Sequence, residues 1–135
     1  MTEAAKKYSL ATAREKLEQM GGWLKDKKAR DLFMLDLSGQ GAFTDGMILV
    51  SATSVRHAQG LADHILEEAG RANYEFLHME GYQNGAWILL DFNDVIVNIF
   101  QKDARLLYKI EGLWAGVAPL LDERGADDGS DENWD

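Results

Sequence analysis

The sequence predicts an α/β fold in which helices pack on a mixed sheet of roughly five strands. Short runs of β-branched and aromatic residues, bounded by glycine, asparagine or aspartate, are typical of strands. Apolar side chains at three- and four-residue spacing are typical of amphipathic helices. Along the chain these patterns occur in the order helix, two strands, helix, three strands and short helix. That order predicts one mixed sheet that carries helices.

Length and composition predict a single folded domain over residues 1–121. The chain has 135 residues, of which 46% are hydrophobic, and this supplies enough apolar surface for one core. It has no cysteine, which excludes disulfides and metal-thiolate sites. No window contains the roughly 18 apolar residues of a membrane span, and the first residues lack the apolar core of a signal peptide. These features predict a cytoplasmic protein with no membrane partner.

The first half of the chain predicts a helix and a pair of strands. Apolar residues recur at helical spacing over residues 4–20, and the two glycines at 21–22 are expected to end this helix. The apolar run at residues 31–37 predicts a first strand. An aspartate-glycine turn then leads into a second strand over residues 47–50, which we expect to run antiparallel to the first.

The second half predicts a helix, a short strand and a hairpin. Apolar residues follow helical steps over residues 55–69, with charged residues on the other side. Residues 76–79 predict a short strand. Two further apolar runs, residues 87–90 and 95–97, flank a turn that contains asparagine and aspartate, and this arrangement predicts a β-hairpin.

Two features follow the hairpin. Arg105, Tyr108 and Glu111 recur at three-residue spacing before Leu113-Trp114, which predicts a short helix that packs against the sheet. Beyond the only proline, residues 122–135 are too polar and acidic to fold, so we expect a disordered tail.

The net charge of −9 is unevenly distributed. Residues 1–30 carry 8 Lys and Arg against 4 Asp and Glu, whereas residues 31–121 carry 5 against 12 and the tail carries 1 against 7. Affinity for nucleic acids depends on basic side chains that replace counterions, so the acidic central region disfavours direct nucleic-acid binding. A basic protein partner is favoured instead, because opposite potentials steer encounter.

A glycine-rich loop and the three histidines favour structural roles over phosphate or metal binding. The glycine-rich loop at residues 38–41 lacks the Gly-Lys-Ser/Thr ending of a phosphate-binding loop. His57 and His64 are two helical turns apart and His78 lies on another element, so the histidines lack the close pairing of zinc motifs and favour solvent or capping roles. We therefore expect no catalytic, cofactor-binding or metal-binding residue.

A series of motifs runs from residue 35 to residue 114. Its members are Leu35-Asp36, Thr44-Asp45, Met47-Ile48, Ser54, Arg56-His57, Ala62-Asp63-His64, Glu80-Gly81, Trp87, Asp91, Asp94-Val95-Ile96-Val97, Arg105, Tyr108, Glu111 and Leu113-Trp114. Their order and spacing resemble those of the ribosomal silencing factor family (RsfS, also called Iojap) over roughly residues 8–115.

The resemblance implies a translation regulator that is not an enzyme. Silencing factors bind a basic large-subunit ribosomal protein, the fourteenth, at the face that meets the small subunit, and so block subunit joining when nutrients are short. The resemblance also implies a fold similar to that of nucleotidyltransferases. A homodimer formed in the absence of the ribosome, through the sheet face that would otherwise bind the ribosomal partner, is a further expectation.

A nucleotidyltransferase-like enzyme or nucleotide-binding protein is the alternative function, with Asp36, Asp45 or Asp91 holding Mg²⁺. Nucleotidyltransferases use a Gly-Ser pair followed by two carboxylates one residue apart on a strand. This chain has Asp91 and Asp94 across a turn, and no Gly-Ser pair precedes such a strand. The pattern therefore favours turn-capping and partner-facing roles for these aspartates.

The resemblance implies a partner-binding surface on the sheet around the hairpin. We expect it to contain Glu80, Trp87, Asp91, Asp94 and Asn98. From the residues alone, Trp87 suits a core position as well as an exposed interface anchor. The family usually has histidine where this chain has Asn98, and asparagine cannot become cationic.

Overall fold

A computed structural model describes residues 8–101 and 116–124 of the chain. Two helices and six strands lie in these residues. The helices are α1 (Ala13–Asp26) and α2 (Val55–Arg71), and the strands are β1 (Arg30–Asp36), β2 (Gly46–Ala52), β3 (His78–Glu80), β4 (Trp87–Asp91), β5 (Val95–Gln101) and β6 (Leu121–Asp122). Neither of the described helices is long and apolar enough to cross a membrane.

The strands form one sheet in the order β3-β4-β5-β2-β1-β6. β2 and β5 pair in parallel at its centre, and the other neighbouring strands pair antiparallel. The predicted α/β class, the mixed sheet and the antiparallel pairing of the first two strands are confirmed. β6 adds a strand to the five expected, because the chain after Pro119 returns to pair with β1.

Both helices pack on the same face of the sheet, called here the helix-covered face. α1 contributes Leu17, Met20 and Leu24 and α2 contributes Leu61 and Ile65, all fully buried. Alternate side chains of the strands are buried against them, among them Met34, Ile48, Val50, Leu90, Val97 and Ile99. Burying one such side chain contributes about 1.5–3 kcal/mol. Because more buried apolar residues lie on this face than on the other, it holds most of the core.

A capping box fixes the start of α1. The Thr12 hydroxyl accepts the Glu15 backbone N–H at 3.1 Å, and the Glu15 carboxylate accepts the Thr12 backbone N–H at 2.8 Å. These two bonds satisfy donors that the first helical turn cannot pair internally. The helix therefore begins at Ala13, well inside the predicted range.

The end of α1 also differs from the prediction, because the two glycines do not terminate the helix. A glycine in a helix costs about 1 kcal/mol relative to alanine. Burial of Leu24, one turn further on, offsets that cost. Gly21 also faces the sheet so closely that a Cβ there would come within 3.0 Å of the Met34 sulfur. The glycine thus permits close packing, and α1 continues to Asp26.

The hairpin of β4 and β5 is confirmed, with Trp87 opposite Phe100. Asn93 in its turn has a φ of 77°, a left-handed conformation in which asparagine is enriched. β3 lies slightly later than the predicted strand at 76–79. α2 agrees with its prediction and extends two residues beyond it, to Arg71.

The predicted tail boundary at Asp122 is corrected. Asp122 pairs with Phe33 in β6 and the chain is described to Arg124, so these residues belong to the fold. Residues 125–135 lie outside the described residues. The helix predicted at residues 105–114 also lies outside them.

Candidate partner-binding face

Strand register brings most of the predicted binding residues to one face of the sheet. Successive side chains of a strand point to opposite faces. In β4, Ile88 and Leu90 are buried on the helix-covered face. Trp87, Leu89 and Asp91 therefore point to the other face, and all three keep some exposure.

The neighbouring strands extend this row of side chains. Leu89 lies opposite Glu80 of β3 and opposite Asn98 of β5, and Asp91 lies opposite His78. Residues directly opposite one another share a face. The exposed and half-exposed members form what we call the β4 patch, which comprises His78, Glu80, Trp87, Leu89 and Asp91.

Trp87 is held in place without being buried. It is 39% exposed, and its ring centroid lies 5.2 Å from that of Phe100, with the ring planes inclined by 30°. Its indole Nε1–H donates to the Asn98 Oδ1 at 2.9 Å. Asn98 is only 3% exposed. Trp87 is therefore neither a core residue nor a fully exposed one, since one part of the indole packs and another part faces solvent.

His78 lies between two carboxylates of the β4 patch. Its Nε2 is 3.0 Å from the Glu80 Oε2, and its Nδ1 is 3.8 Å from the Asp91 Oδ2. Asp91 also accepts the Asn93 backbone N–H at 2.8 Å, which orients its carboxylate. Two acidic side chains therefore share this face with the exposed indole of Trp87.

Asp94 lies apart from the β4 patch. Its carboxylate oxygens accept from the Lys16 Nζ at 3.0 and 3.1 Å. The Lys16 side chain is 7% exposed and that of Asp94 is 28% exposed. This ion pair ties the hairpin turn to α1 on the helix-covered face. The structure therefore does not bring Asp94 together with Asp91, although the sequence grouped them.

Two tyrosines in loops beside the helices, Tyr74 and Tyr82, have raised pKa values. Burial is the main cause for Tyr74, and the carboxylates of Glu15 and Asp94 raise its pKa further. The Tyr82 hydroxyl donates to the Asp63 carboxylate at 3.0 Å, and this bond raises the pKa of Tyr82. Both hydroxyls thus stay protonated at neutral pH and act as hydrogen-bond donors.

The other half of the same sheet face is covered. Its buried apolar side chains are Phe33, Leu35, Leu37, Met47, Leu49 and Phe100, with Ala42 and Val117 packed against them. The Arg124 guanidinium lies 4.3 Å from the centroid of the Phe33 ring. Within the described residues, the β3 and β4 half is the part of this face where acidic and aromatic side chains reach solvent together.

Other candidate residues serve local structure. The Asp36 carboxylate accepts a backbone N–H two residues further on, at 3.0 Å. The His57 Nδ1 accepts the Thr53 backbone N–H at 2.9 Å, and its Nε2 lies 2.8 Å from the Lys27 carbonyl oxygen, which is the capping role expected. Across residues 8–101 and 116–124, no three His, Asp or Glu side chains are grouped so that they could hold a metal ion.

Sequence reasoning missed two residues of the β4 patch, Leu89 and His78. The alternation that put Trp87 and Asp91 on one face also applied to Leu89, so that signal was available. His78 could be placed only once β3 was paired with β4, because its position depends on register.

Comparison with known proteins identifies the family. The family model described as ribosomal silencing factor during starvation matches residues 10–133. The chain belongs to the ribosomal silencing factor family. The resemblance seen in the sequence motifs is therefore confirmed.

Individual relatives agree with this assignment. The ribosomal silencing factor of Haemophilus influenzae is 38% identical over 88 residues, which cover 65% of this chain and 86% of the relative. That of Bacillus subtilis is 36% identical over 97 residues, covering 72% and 81%. A crystal structure of a protein from Chromobacterium violaceum superimposes with a TM-score of 0.70 at 28% identity, covering 80% of this chain and 91% of that one.

Proposed function

We propose that this chain binds a basic protein of the large ribosomal subunit, the fourteenth, through the β4 patch and blocks joining of the small subunit. Membership of the silencing factor family supports the ribosome as target. The observation that carries the choice of surface is the exposed indole of Trp87 on the same sheet face as the carboxylates of Glu80 and Asp91. Exposed aromatic anchors flanked by charge are typical of protein interfaces.

Electrostatics favours a basic protein over ribosomal RNA as the direct contact. Asp91 and Glu80 give the patch negative charge, and His78 lies between their carboxylates. Phosphates are repelled by such a surface, whereas lysine and arginine side chains are attracted to it. The acidic patch would thus direct the chain to a protein-lined part of the subunit.

A steric mechanism requires only that the chain bind stably and occupy part of the intersubunit face. A stable interface needs about 800 Å² on each partner. A domain docked with that footprint at the intersubunit face occupies space that the small subunit requires. No bond needs to be made or broken, so the proposal assigns no catalytic residue.

Sedimentation with purified bacterial large subunits, followed by a subunit-joining assay, tests the proposal. We expect Trp87→Ala and Asp91→Lys each to weaken binding about tenfold or more, because one removes the anchor and the other places a cation against a basic partner. The defect of Asp91→Lys should shrink as salt is raised.

Asp26→Lys is the matched control for charge. Asp26 is exposed at the last residue of α1, and its reversal changes the net charge by the same amount as Asp91→Lys. It should leave binding unchanged. Trp87→Ala should lower the free energy of unfolding by about 1–2 kcal/mol, less than for a fully buried tryptophan. Unchanged subunit joining at saturating wild-type protein would overturn the proposed function.

A further inference from the structure

We propose that Asn98 is a positioning residue, which presets the Trp87 indole in the orientation that the partner meets. This inference rests on the proposed function, because it names the device that prepares the same surface. Asn98 itself is 3% exposed, so a partner on this face would touch Trp87 and not the asparagine. The effect of Asn98 on binding would therefore pass through the indole.

The register explains how the two side chains meet. Trp87 of β4 lies directly opposite Phe100 of β5, and Asn98 is two residues before Phe100 in β5. Diagonal neighbours of this kind lie about 7–8 Å apart, which an aromatic side chain can span. The indole accordingly extends across the β4–β5 ladder, and its Nε1–H reaches the Asn98 Oδ1 at 2.9 Å.

Two different contacts fix the two rotations of the Trp87 side chain. Packing on Phe100, at 5.2 Å between centroids, selects the side on which the ring lies. The hydrogen bond to Asn98 selects which edge of the ring faces β5 and which edge faces solvent. Packing alone leaves the ring able to flip about its second side-chain torsion. Asn98 removes that freedom.

The amide of Asn98 suits this task because it both accepts and donates. While Oδ1 accepts from Trp87, Nδ2 lies 3.4 Å from the Ile48 carbonyl oxygen of β2. Buried polar atoms need partners, and these two contacts orient the amide. The asparagine thus links the indole to the parallel β2 and β5 strands at the centre of the sheet.

Positioning of this kind affects binding more than folding. Trp87 is partly exposed, so when the asparagine is removed the ring can rotate and its N–H can turn to water. Binding to an unrestrained indole must instead fix the side chain at the moment of association, which costs affinity. We expect Asn98→Leu to weaken large-subunit binding roughly threefold to tenfold.

A double-mutant cycle with Trp87→Phe separates positioning from a general effect on the fold. Phenylalanine keeps an aromatic ring against Phe100 but has no N–H for Asn98 to accept. We expect Asn98→Leu to weaken binding in the wild-type chain and to have no further effect in the Trp87→Phe chain. Equal losses in both backgrounds would overturn the proposal. Asn98→Ala repeats the cycle if the leucine variant does not fold.

The indole N–H resonance of Trp87 gives a readout in the free protein. The chain has four tryptophans, and the signal lost in Trp87→Phe assigns the one required. Asn98→Leu should move this signal upfield and speed its exchange with water, whereas Asn98→Asp, which keeps an acceptor oxygen, should preserve a hydrogen-bonded signal. An unchanged signal in Asn98→Leu would overturn the positioning role. Failure of the wild-type chain to bind subunits would instead overturn the proposed function, with this readout still valid.

Discussion

The two faces of β4 differ in what covers them, although the residues that form them alternate along one strand. Ile88 and Leu90 are fully buried beneath the helices. Trp87, Leu89 and Asp91 lie on the other side and keep some exposure. One strand therefore supplies core contacts with one set of side chains and a candidate binding surface with the other. Stability and docking can accordingly be changed separately, by substitutions at adjacent positions.

The two aspartates of the hairpin, Asp91 and Asp94, also lie on different faces of the sheet. Asp94 forms an ion pair with the buried Lys16 on the helix-covered face. Asp91, three residues earlier, faces His78 in the β4 patch. Two aspartates three positions apart thus lie on different faces of the sheet: Asp94 is tied to α1, and Asp91 is half-exposed beside His78.

The largest effect should come from comparing Leu90→Ala with Leu89→Ala. Leu90 is fully buried, so its truncation should lower the free energy of unfolding by about 2–5 kcal/mol. Leu89 is half-buried on the opposite face, and its truncation should cost about 1 kcal/mol or less while weakening large-subunit binding. Urea unfolding and subunit sedimentation measure the two quantities. Equal losses of stability would contradict the distinction between the faces.

A smaller difference is expected between Asp94→Asn and Asp91→Asn. Removing the Asp94 charge leaves the Lys16 ammonium buried without its counter-charge, which should cost about 1–3 kcal/mol after allowance for the partial exposure of Asp94. Asp91→Asn keeps an acceptor for the Asn93 N–H and should change stability by less than about 0.5 kcal/mol.

Ribosome binding should show the opposite order for these two substitutions. Asp91→Asn should weaken it, while Asp94→Asn should bind normally at a temperature where it is fully folded. Sedimentation of both variants under one buffer condition gives the comparison. A binding defect confined to Asp94→Asn would place the partner on the helix-covered face instead.

The smallest effect concerns the covered half of the sheet and depends on pH. The Arg124 side chain bonds to Asp122 and holds the pKa of that carboxyl below its ordinary value of 3.8. The folded state therefore takes up this proton less readily than the unfolded state. The resulting stability is fully present above the ordinary pKa and is lost as the pH falls through the lowered pKa.

Asp122→Asn should remove this contribution. Because the Asp122 side chain is 33% exposed, we expect a loss of at most about 0.5 kcal/mol at neutral pH. Wild type and variant should converge in stability as the pH falls well below 3.8. Urea unfolding at a series of pH values measures this, and a difference that grows towards low pH would contradict the assignment.

Helices and strands whose formation depends on local sequence patterns could be predicted from the sequence. The hairpin followed from its two apolar runs, and α2 followed from its helical spacing. The extension of α1 past its glycines was not predictable in this way, because it depends on burial of Leu24 against the sheet. β6 is only two residues long and exists through its pairing with β1. No property of those two residues alone indicates a strand.

The candidate site was predictable to the extent that strand alternation determines it. Alternation placed Trp87 and Asp91 on one face. The separation of Asp94 depends on Lys16, which is 78 positions away in the chain, and nothing in the local sequence indicates that contact. The bond between Trp87 and Asn98 likewise requires the register of β4 and β5.

The central position of β5 determines when the candidate binding face can form during synthesis. β5 lies between β4 and β2, and it supplies both Phe100 and Asn98 beneath the Trp87 indole. Its parallel partner β2 is about fifty residues earlier, so the pairing of Gly46 with Val95 closes a long loop. A nascent chain that has emerged only as far as β4 has the indole of Trp87 but not its support. The candidate binding face is therefore complete only after β5 has left the ribosome that is making the chain.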